Sequence, residues 1–434
     1  MSASAYLRLV AVGALIGMPA AVVAALFLAF VHDLEHWLWH DIPEAIGVSS
    51  PPWYLVIGLP VAGACIVLIA RRLLPGDGGH PPLQGIGGGP VPVSHAPGIA
   101  LAAIGTLSFG AVLGPEAPLI ALGAVVGMVF TYIGQIDEKG KAVLATAGSF
   151  SAISALFGGP LVGGMMMVES GLAMGTALLA VLLPGFVAAA IGYVLFIGFG
   201  DWGGLASQGL AVPSLPGYHG THIYDLIIAV FVGVITALIV AAIRRSAGEF
   251  AKEGPRRLGL PVLLIGGGLA VGLIAQAAEW LGADSQDVLF SGQSAIPDVA
   301  ATTSAWILLL LLGAKGLAYL VSLGCGFRGG PVFPAIFVGI AVAEFPHAWF
   351  DISPTLAVAA GAAAGMAAGT RLLITSVLFA ALLVGTAGID ATPAAVLAAA
   401  AAWLTMQGVD RRAALKQGVA GITARSPTAP SRSE

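Results

Sequence analysis

The sequence predicts an all-α polytopic membrane protein built from two inverted-topology repeats whose broken helices meet at mid-membrane. Three observations carry that prediction. Apolar types make up 58% of the 434 residues and charged types only 9%, whereas a soluble domain is roughly 25% charged. Apolar stretches recur along the whole chain, over 7–31, 53–70, 98–113, 117–136, 142–168, 171–200, 225–243, 258–282, 304–323, 331–350, 354–370, 372–389 and 393–407. Finally, the second half of the chain echoes the first at an offset of about 215 residues, and paired halves with interrupted helices are the signature of transporter and channel folds.

The same arithmetic excludes other classes. Too much apolar surface is present for disorder. A net charge of −4 without any basic stripe leaves nothing to neutralise phosphates, so nucleic acid is not a partner. A membrane β-barrel is excluded because the apolar stretches do not alternate with polar residues. Cys65 and Cys325 both lie in apolar stretches and read as small buried hydrophobes rather than a disulfide or metal site.

The first stretch, 7–31, contains Arg8, but it is long and many others follow, so it reads as a span and not as a cleaved signal. A full span needs about 20 apolar residues. The stretches 98–113, 354–370 and 393–407 are short or end in Gly and Pro, which predicts helices that stop inside the membrane around a cavity. Lys and Arg cluster at Arg71 and Arg72, at Arg244, Arg245, Lys252, Arg256 and Arg257, and at Arg411, Arg412, Lys416, Arg425 and Arg432. The segments 32–52, 201–224 and 283–303 contain none. The positive-inside rule therefore puts the basic groups and the C-terminal tail in the cytoplasm and the other segments outside, and the expected location is the cell inner (plasma) membrane. Residues 1–418 form one transport domain with repeats over approximately 50–200 and 258–410, and the polar 419–434 reads as a disordered cytoplasmic tail. The repeat itself is carried by 108–127 against 322–342, with Pro118 matching Pro334 and Gly123 matching Gly339, and by 145–164 against 359–376.

Charges deep in apolar stretches are expensive and point to function. Glu116 is the sharpest case. It lies in Leu113-Gly114-Pro115-Glu116-Ala117-Pro118, ahead of a helix expected to begin near Pro118. Free N–H groups and the dipole at such a terminus hold a carboxylate, or an anion that replaces it. Two further Gly/Pro segments, 75–85 and Gly329-Gly330-Pro331-Val332-Phe333-Pro334, are expected to aim N–H groups into the same cavity from the start of an apolar helix. His32, His36 and His40 share one helical face with Asp33 and Glu35 nearby; this set reads as an extracellular polar helix, with a metal site as the alternative. Arg328 either draws anions into a vestibule or pairs with an acidic neighbour.

Three Gly/Pro-broken segments in this order, with a glutamate in the second and a two-half repeat, resemble the CLC family of chloride channels and chloride/proton exchangers over roughly 50–410. The resemblance implies a filter at Asp77-Gly78-Gly79-His80-Pro81, a gating motif at Gly114-Pro115-Glu116-Ala117-Pro118 and a third motif at Gly330-Pro331-Val332-Phe333-Pro334. It makes Glu116 the counterpart of the external gating glutamate and assigns anion contact to Gly78, Gly79, His80, Pro81, Gly114, Pro115, Ala117, Gly330, Pro331, Val332 and Phe333. Lys315 and Arg371 match basic positions of the family pattern.

Departures from that pattern are specific. The filter serine is replaced by Gly78, the phenylalanine of the third motif falls on Val332 beside Phe333, and no tyrosine follows Tyr319. The exchangers' internal proton-transfer glutamate falls on Ser170, next to Glu169, so either Glu169 or water takes over a proton relay or the protein conducts without strict proton exchange, with Glu169 as a structural residue facing cytoplasmic water the alternative to a relay role. The resemblance further implies a homodimer, no catalytic residue, no metal and no cofactor beyond the transported inorganic anion, chloride or a relative, with protons as the possible counter-substrate. A fluoride-selective or broad-anion exporter is the alternative; an intramembrane enzyme would need a nucleophile and base facing each other, and no such set is legible.

Overall fold

The computed structural model describes residues 3–132, 136–172, 175, 177–203, 211–213, 215–350 and 352–423. In the first half, α1 (Ala3–His36) passes through a π-helical turn at Trp37–Asp41 into the short α2 (Ile42–Ala45). There follow α3 (Trp53–Leu73), α4 (Ala96–Leu107), α5 (Glu116–Phe130), α6 (Glu138–Leu156), α7 (Pro160–Ser170) and α8 (Ala177–Gly203). The second half comprises α9 (Ile223–Arg257), α10 (Leu260–Trp280), the short α11 (Ser285–Val288) and α12 (Ile296–Ala300), then α13 (Ala305–Gly324) and α14 (Val332–Phe350). It closes with α15 (Pro354–Thr370), α16 (Ile374–Val384), a 3₁₀ segment at Gly385–Ala391 and α17 (Thr392–Thr423). Among the described residues there is no strand, and seven helices are long and apolar enough to cross a bilayer.

Packing repeats along the chain in the same order. In the first half α6 lies against α1, α5 and α8; in the second, α15 lies against α9, α14 and α17. Small residues make this possible, because lipid offers no hydrophobic driving force and association depends on close backbone approach. A Cβ added to Gly123 would run into the carbonyl of Gly148 between α5 and α6, and one added to Gly339 would run into that of Gly361 between α14 and α15. The two pairs are the same contact, once in each half. The halves are joined where α3 packs on α10, with Gly268 against the Pro60 carbonyl.

Four expectations are corrected by the structure. The stretch 393–407 belongs to the long α17, not to a short helix; the break lies just before it, in the 3₁₀ segment. The real half-length helices are α7 and α16, eleven residues each, which sequence had merged into longer runs because no charge separates them from their neighbours. Residues 32–45 continue the first helix rather than forming a separate loop helix, and there His36 faces Asp41 (3.0 Å) and the His40 ring. The helical backbone extends to Thr423, past the domain end at 418; of the expected tail, 424–434 lies outside the described residues.

Candidate functional site

The centre of the fold is a meeting of two helix starts. Gly114 and Gly330 pair in an antiparallel bridge, with Gly114 N–H donating to the Gly330 carbonyl (2.7 Å) and Gly330 N–H donating to that of Gly114 (2.5 Å). The two glycines are related by the same offset as Pro118 and Pro334, so the repeat's own equivalent residues touch. Each leads through a proline into an apolar helix: Pro115 caps α5, and Pro331 precedes Val332, the first residue of α14. The α5 helix begins at Glu116, two residues earlier than expected, which places the carboxylate in the first turn.

Glu116 is fully buried. Its Oε1 accepts a hydrogen bond from the Phe333 N–H (3.1 Å), while Oε2 has no hydrogen-bond partner. A carboxylate rooted on one helix N-terminus is therefore held by the N-terminus of the other, where both dipoles favour negative charge. Glycine is required on both sides of it, since a Cβ at Gly114 or Gly330 would collide with the Glu116 carboxylate. Val332, Phe333 and Ala117 are buried around the same point. The Phe333 ring stacks on Phe157 (centroids 5.7 Å apart) and meets Phe379 edge-on (6.0 Å), closing one side with aromatic surface. Tyr319, also buried, donates its hydroxyl to the Pro331 carbonyl (2.8 Å).

The filter-like turn has a different construction from the one expected. Pro81 and Pro82 lead only into a 3₁₀ turn, Pro82–Gln84, and a glycine-rich loop separates it from α4. It therefore contributes no full helix dipole. The turn is held instead by Asp77, which sits in the left-handed region (φ 47°). Its carboxylate accepts from Arg71 at two points (2.8 and 3.0 Å) and pairs with Arg328, whose Nε also donates to the Asp77 carbonyl (2.9 Å). Arg71 in turn donates to the Gly326 carbonyl (2.9 Å). Of the two readings open for Arg328, pairing is the one the structure contains. Gly78 follows with φ 71°, and a Cβ there would press on Ala102, Arg71 and Arg328. The backbone, and not only the absence of a hydroxyl, thus dictates glycine at that position. Gly79 and His80 line a cavity beside α5, together with Ala117.

Glu169 and Ser170 lie apart from this centre. The Glu169 carboxylate accepts from the backbone N–H groups of Leu373 (3.1 Å), Ile374 (2.9 Å) and Thr375 (2.7 Å), and from the Thr375 hydroxyl. It is the cap that α16 lacks in its own sequence, supplied across the repeat by α7. Ser170 is exposed, with its hydroxyl bonded to the Met167 carbonyl (3.1 Å). Both Glu169 oxygens are thereby bonded to the start of α16.

Two basic positions are likewise structural anchors. Lys315 is fully buried, with Nζ donating to the carbonyls of Asp287 (3.0 Å) and Leu289 (2.5 Å) and lying 4.8 Å from the Phe337 ring centroid. Arg371 ends α15 in the left-handed conformation (φ 68°) and pairs with Asp410 of α17 (3.1 Å). Sequence reasoning missed the Asp77 lock, the Phe157–Phe333–Phe379 cluster and Tyr319. Only Asp77 carried a readable signal, an acidic residue between glycines with unpaired arginines elsewhere in the chain. Among the described residues no group of three or more His, Cys, Asp or Glu is placed to hold a metal ion.

Comparison with known proteins agrees with this geometry. The family model described as voltage gated chloride channel matches residues 62–407. YfeO of Salmonella schwarzengrund (strain CVM19633), provisionally named an ion-transport protein, is 29% identical over 363 residues, covering 78% of this chain and 80% of that protein. YfeO of Escherichia coli O7:K1 is 29% identical over 358 residues, covering 76% and 77%. Among solved structures, a slow cyanobacterial Cl⁻/H⁺ antiporter superposes with a TM-score of 0.71 at 18% identity, covering 95% of this chain and 99% of that one. A CLC-type fluoride/proton antiporter gives 0.71 at 20% identity, covering 93% and 96%.

Proposed function

Since this chain belongs to the CLC family, the multi-pass membrane family described as voltage gated chloride channel, we propose that it moves small inorganic anions across the bilayer and that Glu116 is the gate. The observation that carries the reading is the Glu116 carboxylate lying on the Phe333 N–H at the start of α14. Ionised, the carboxylate occupies a position that two helix N-termini make favourable for an anion. Protonated, it loses most of that attraction and swings away, and a transported anion takes its place. Pro331 has no N–H to offer, and the Gly114 and Gly330 N–H groups are committed to each other's carbonyls, so the site relies on the donors that follow in α14. Such a site selects by charge and size more than by directed side-chain donors.

Assembly and placement follow the family. We assign a homodimer with one pathway per subunit, in the inner (plasma) membrane, with the basic segments and C-terminus in the cytoplasm. The family is one of channels and transporters, and the centre described here contains no nucleophile–base pair.

The test is anion efflux from proteoliposomes loaded with chloride, fluoride or nitrate while external pH is recorded. Anion efflux with opposite proton uptake supports an exchanger; efflux without it supports a channel. Absence of flux for all three anions would overturn the proposal.

A further inference from the structure

The backbone that delivers Glu116 is tied to parts of the chain far from it. Residues 108–115 join α4 to α5 without helix, and Ser108 and Gly110–Leu113 are buried. The Ser108 carbonyl accepts from the indole N–H of Trp39 (3.0 Å), in the π-helical turn after α1, and the Ser108 hydroxyl donates to the Val31 carbonyl (3.1 Å). Single π-helical turns are frequent at functional sites. The Gly110 carbonyl accepts from the Phe290 N–H (3.3 Å), on the turn between α11 and α12. The Phe290 ring meets Trp39 edge-on, with centroids 5.2 Å apart, so the two attachments brace each other.

Phe290 needs support to hold that position. Its φ of 59° lies in the left-handed region, which a bulky residue keeps only where its surroundings impose it. Lys315 fixes the turn. Its Nζ donates to the carbonyls of Asp287 and Leu289, and Gly292 (φ 86°) lies so close that a Cβ there would come within 3.0 Å of the Lys315 Cε. Glu35 and Asp287 attract the ammonium, yet the bonds it makes are to backbone. A methionine would fill the same space without burying a charge, and an ionisable group inside an apolar segment points to function.

The other half of the chain repeats the device. Asp77 and Gly79 (φ 47° and 100°) correspond to Phe290 and Gly292, 213 residues on, and Gly110 (φ 88°) corresponds to Gly326 (φ 99°), 216 residues on. Arg71 and Arg328 pin the Asp77 turn against the segment leading to α14. Lys315 pins the Phe290 turn against the segment leading to α5. Each helix start at the centre is thus held by a turn from the opposite half, with a basic side chain behind it.

We propose that Lys315 and Trp39 are positioning residues for the gate: through Phe290 and Ser108 they fix the backbone of 108–113, and with it the Glu116 carboxylate against the start of α14. The inference rests on the reading of Glu116 as the gate, although the bracing itself does not. Without the brace the ionised carboxylate keeps its charge but loses its placement, and the closed state weakens. A threefold weaker hold raises the pH at which the gate opens by about half a pH unit.

Two variants of the full chain test this. Trp39→Phe removes one N–H donor and keeps an aromatic ring for Phe290; Lys315→Met removes the ammonium at similar volume. Hydrogen–deuterium exchange over 108–116 in detergent reads the brace. Efflux from proteoliposomes against pH, with whichever of chloride, fluoride and nitrate the wild type passes, reads the gate. Exchange of the 108–113 amides should quicken about threefold or more. The efflux midpoint should rise by about half a pH unit, and adding Glu116→Gln to either variant should remove that shift. Should Lys315→Met fail to fold, Trp39→Phe decides alone. Unchanged exchange in Trp39→Phe overturns the inference, and so does faster exchange with a wild-type midpoint, which would make the contacts merely structural. A Glu116→Gln protein that keeps the wild-type pH dependence refutes the gate reading instead, and the exchange result then decides the bracing by itself.

Discussion

Replacing Asp77 with Asn tests whether the filter-like turn is held by charge drawn from both halves of the chain. The substitution keeps the side-chain shape and removes the counter-charge shared by Arg71 and Arg328. The side chains differ sharply in exposure: Asp77 is 56% exposed and Arg328 only 6%. Removing the exposed member therefore strands a buried guanidinium, whereas removing the buried one leaves a carboxylate that water and Arg71 can satisfy. Breaking a buried pair by deleting one partner costs about 3–5 kcal/mol. Because half of Asp77 faces water, the loss here is about 1–3 kcal/mol. Arg328→Met, which retains the apolar stem's packing, should cost less than Asp77→Asn. The double variant should be no less stable than Asp77→Asn alone, giving a coupling of about 1 kcal/mol or more. Thermal unfolding of the purified protein in detergent, read by tryptophan fluorescence and size-exclusion recovery, measures all four corners of the cycle. Additive effects, or an Asp77→Asn variant as stable as the wild type, would refute the reasoning.

Other perturbations follow from single contacts. Gly330→Ala places a methyl on the Glu116 carboxylate, so the gate should be displaced and anion efflux should rise and lose its pH dependence; retained pH dependence would show that the carboxylate has room elsewhere. Glu169→Gln exchanges an acceptor of the α16 cap for a donor facing other donors, which should lower stability by about 1–3 kcal/mol and leave the proton-to-anion ratio unaltered; a changed ratio would restore Glu169 as a proton carrier. Burial, with Asp284 and Asp298 nearby, raises Asp287 from 3.8 to about 6. Its folded-state value lies above the unfolded one, so its relative contribution is fully present below pH 4 and is lost as pH rises through 6. Asp287→Asn should therefore raise Tm at about pH 8 and leave it near wild type at about pH 4; the opposite pattern would mean that its attraction to Lys315 outweighs burial.

Much of this architecture is legible in the sequence because its cause is local. A bilayer demands long apolar runs, and a helix that stops at mid-membrane needs Gly and Pro where its backbone is exposed to the cavity. Glu116, flanked by Pro115 and Pro118, announces both a helix start and a buried charge. The matched spacing of Pro118 with Pro334 and of Gly123 with Gly339 announces the repeat, though not the Gly114–Gly330 bridge that joins its halves. What stayed hidden depends on partners distant in sequence. The capping role of Glu169 is hidden in this way, because the N–H groups it accepts from belong to α16, two hundred residues later. Arg328 is ambiguous for the same reason, since Asp77 lies 251 residues away. Pro160 and Gly385 mark the limits of α7 and α16, but uniform hydropathy on either side conceals how short those helices are. The filter-like turn misleads because Gly-Pro chemistry fixes a backbone turn without specifying that a helix must follow it.

Anion efflux from proteoliposomes containing Glu116→Gln, compared with wild type at about pH 5 and about pH 7.5, tests the central claim most directly. A neutral glutamine keeps the shape of the gate but lacks the charge that draws it to the α14 start. The account predicts anion efflux that persists, is independent of pH and is uncoupled from proton movement, while wild-type efflux depends on pH. A Glu116→Gln protein that retains the wild-type pH dependence, or that folds normally yet passes no anion, would contradict it.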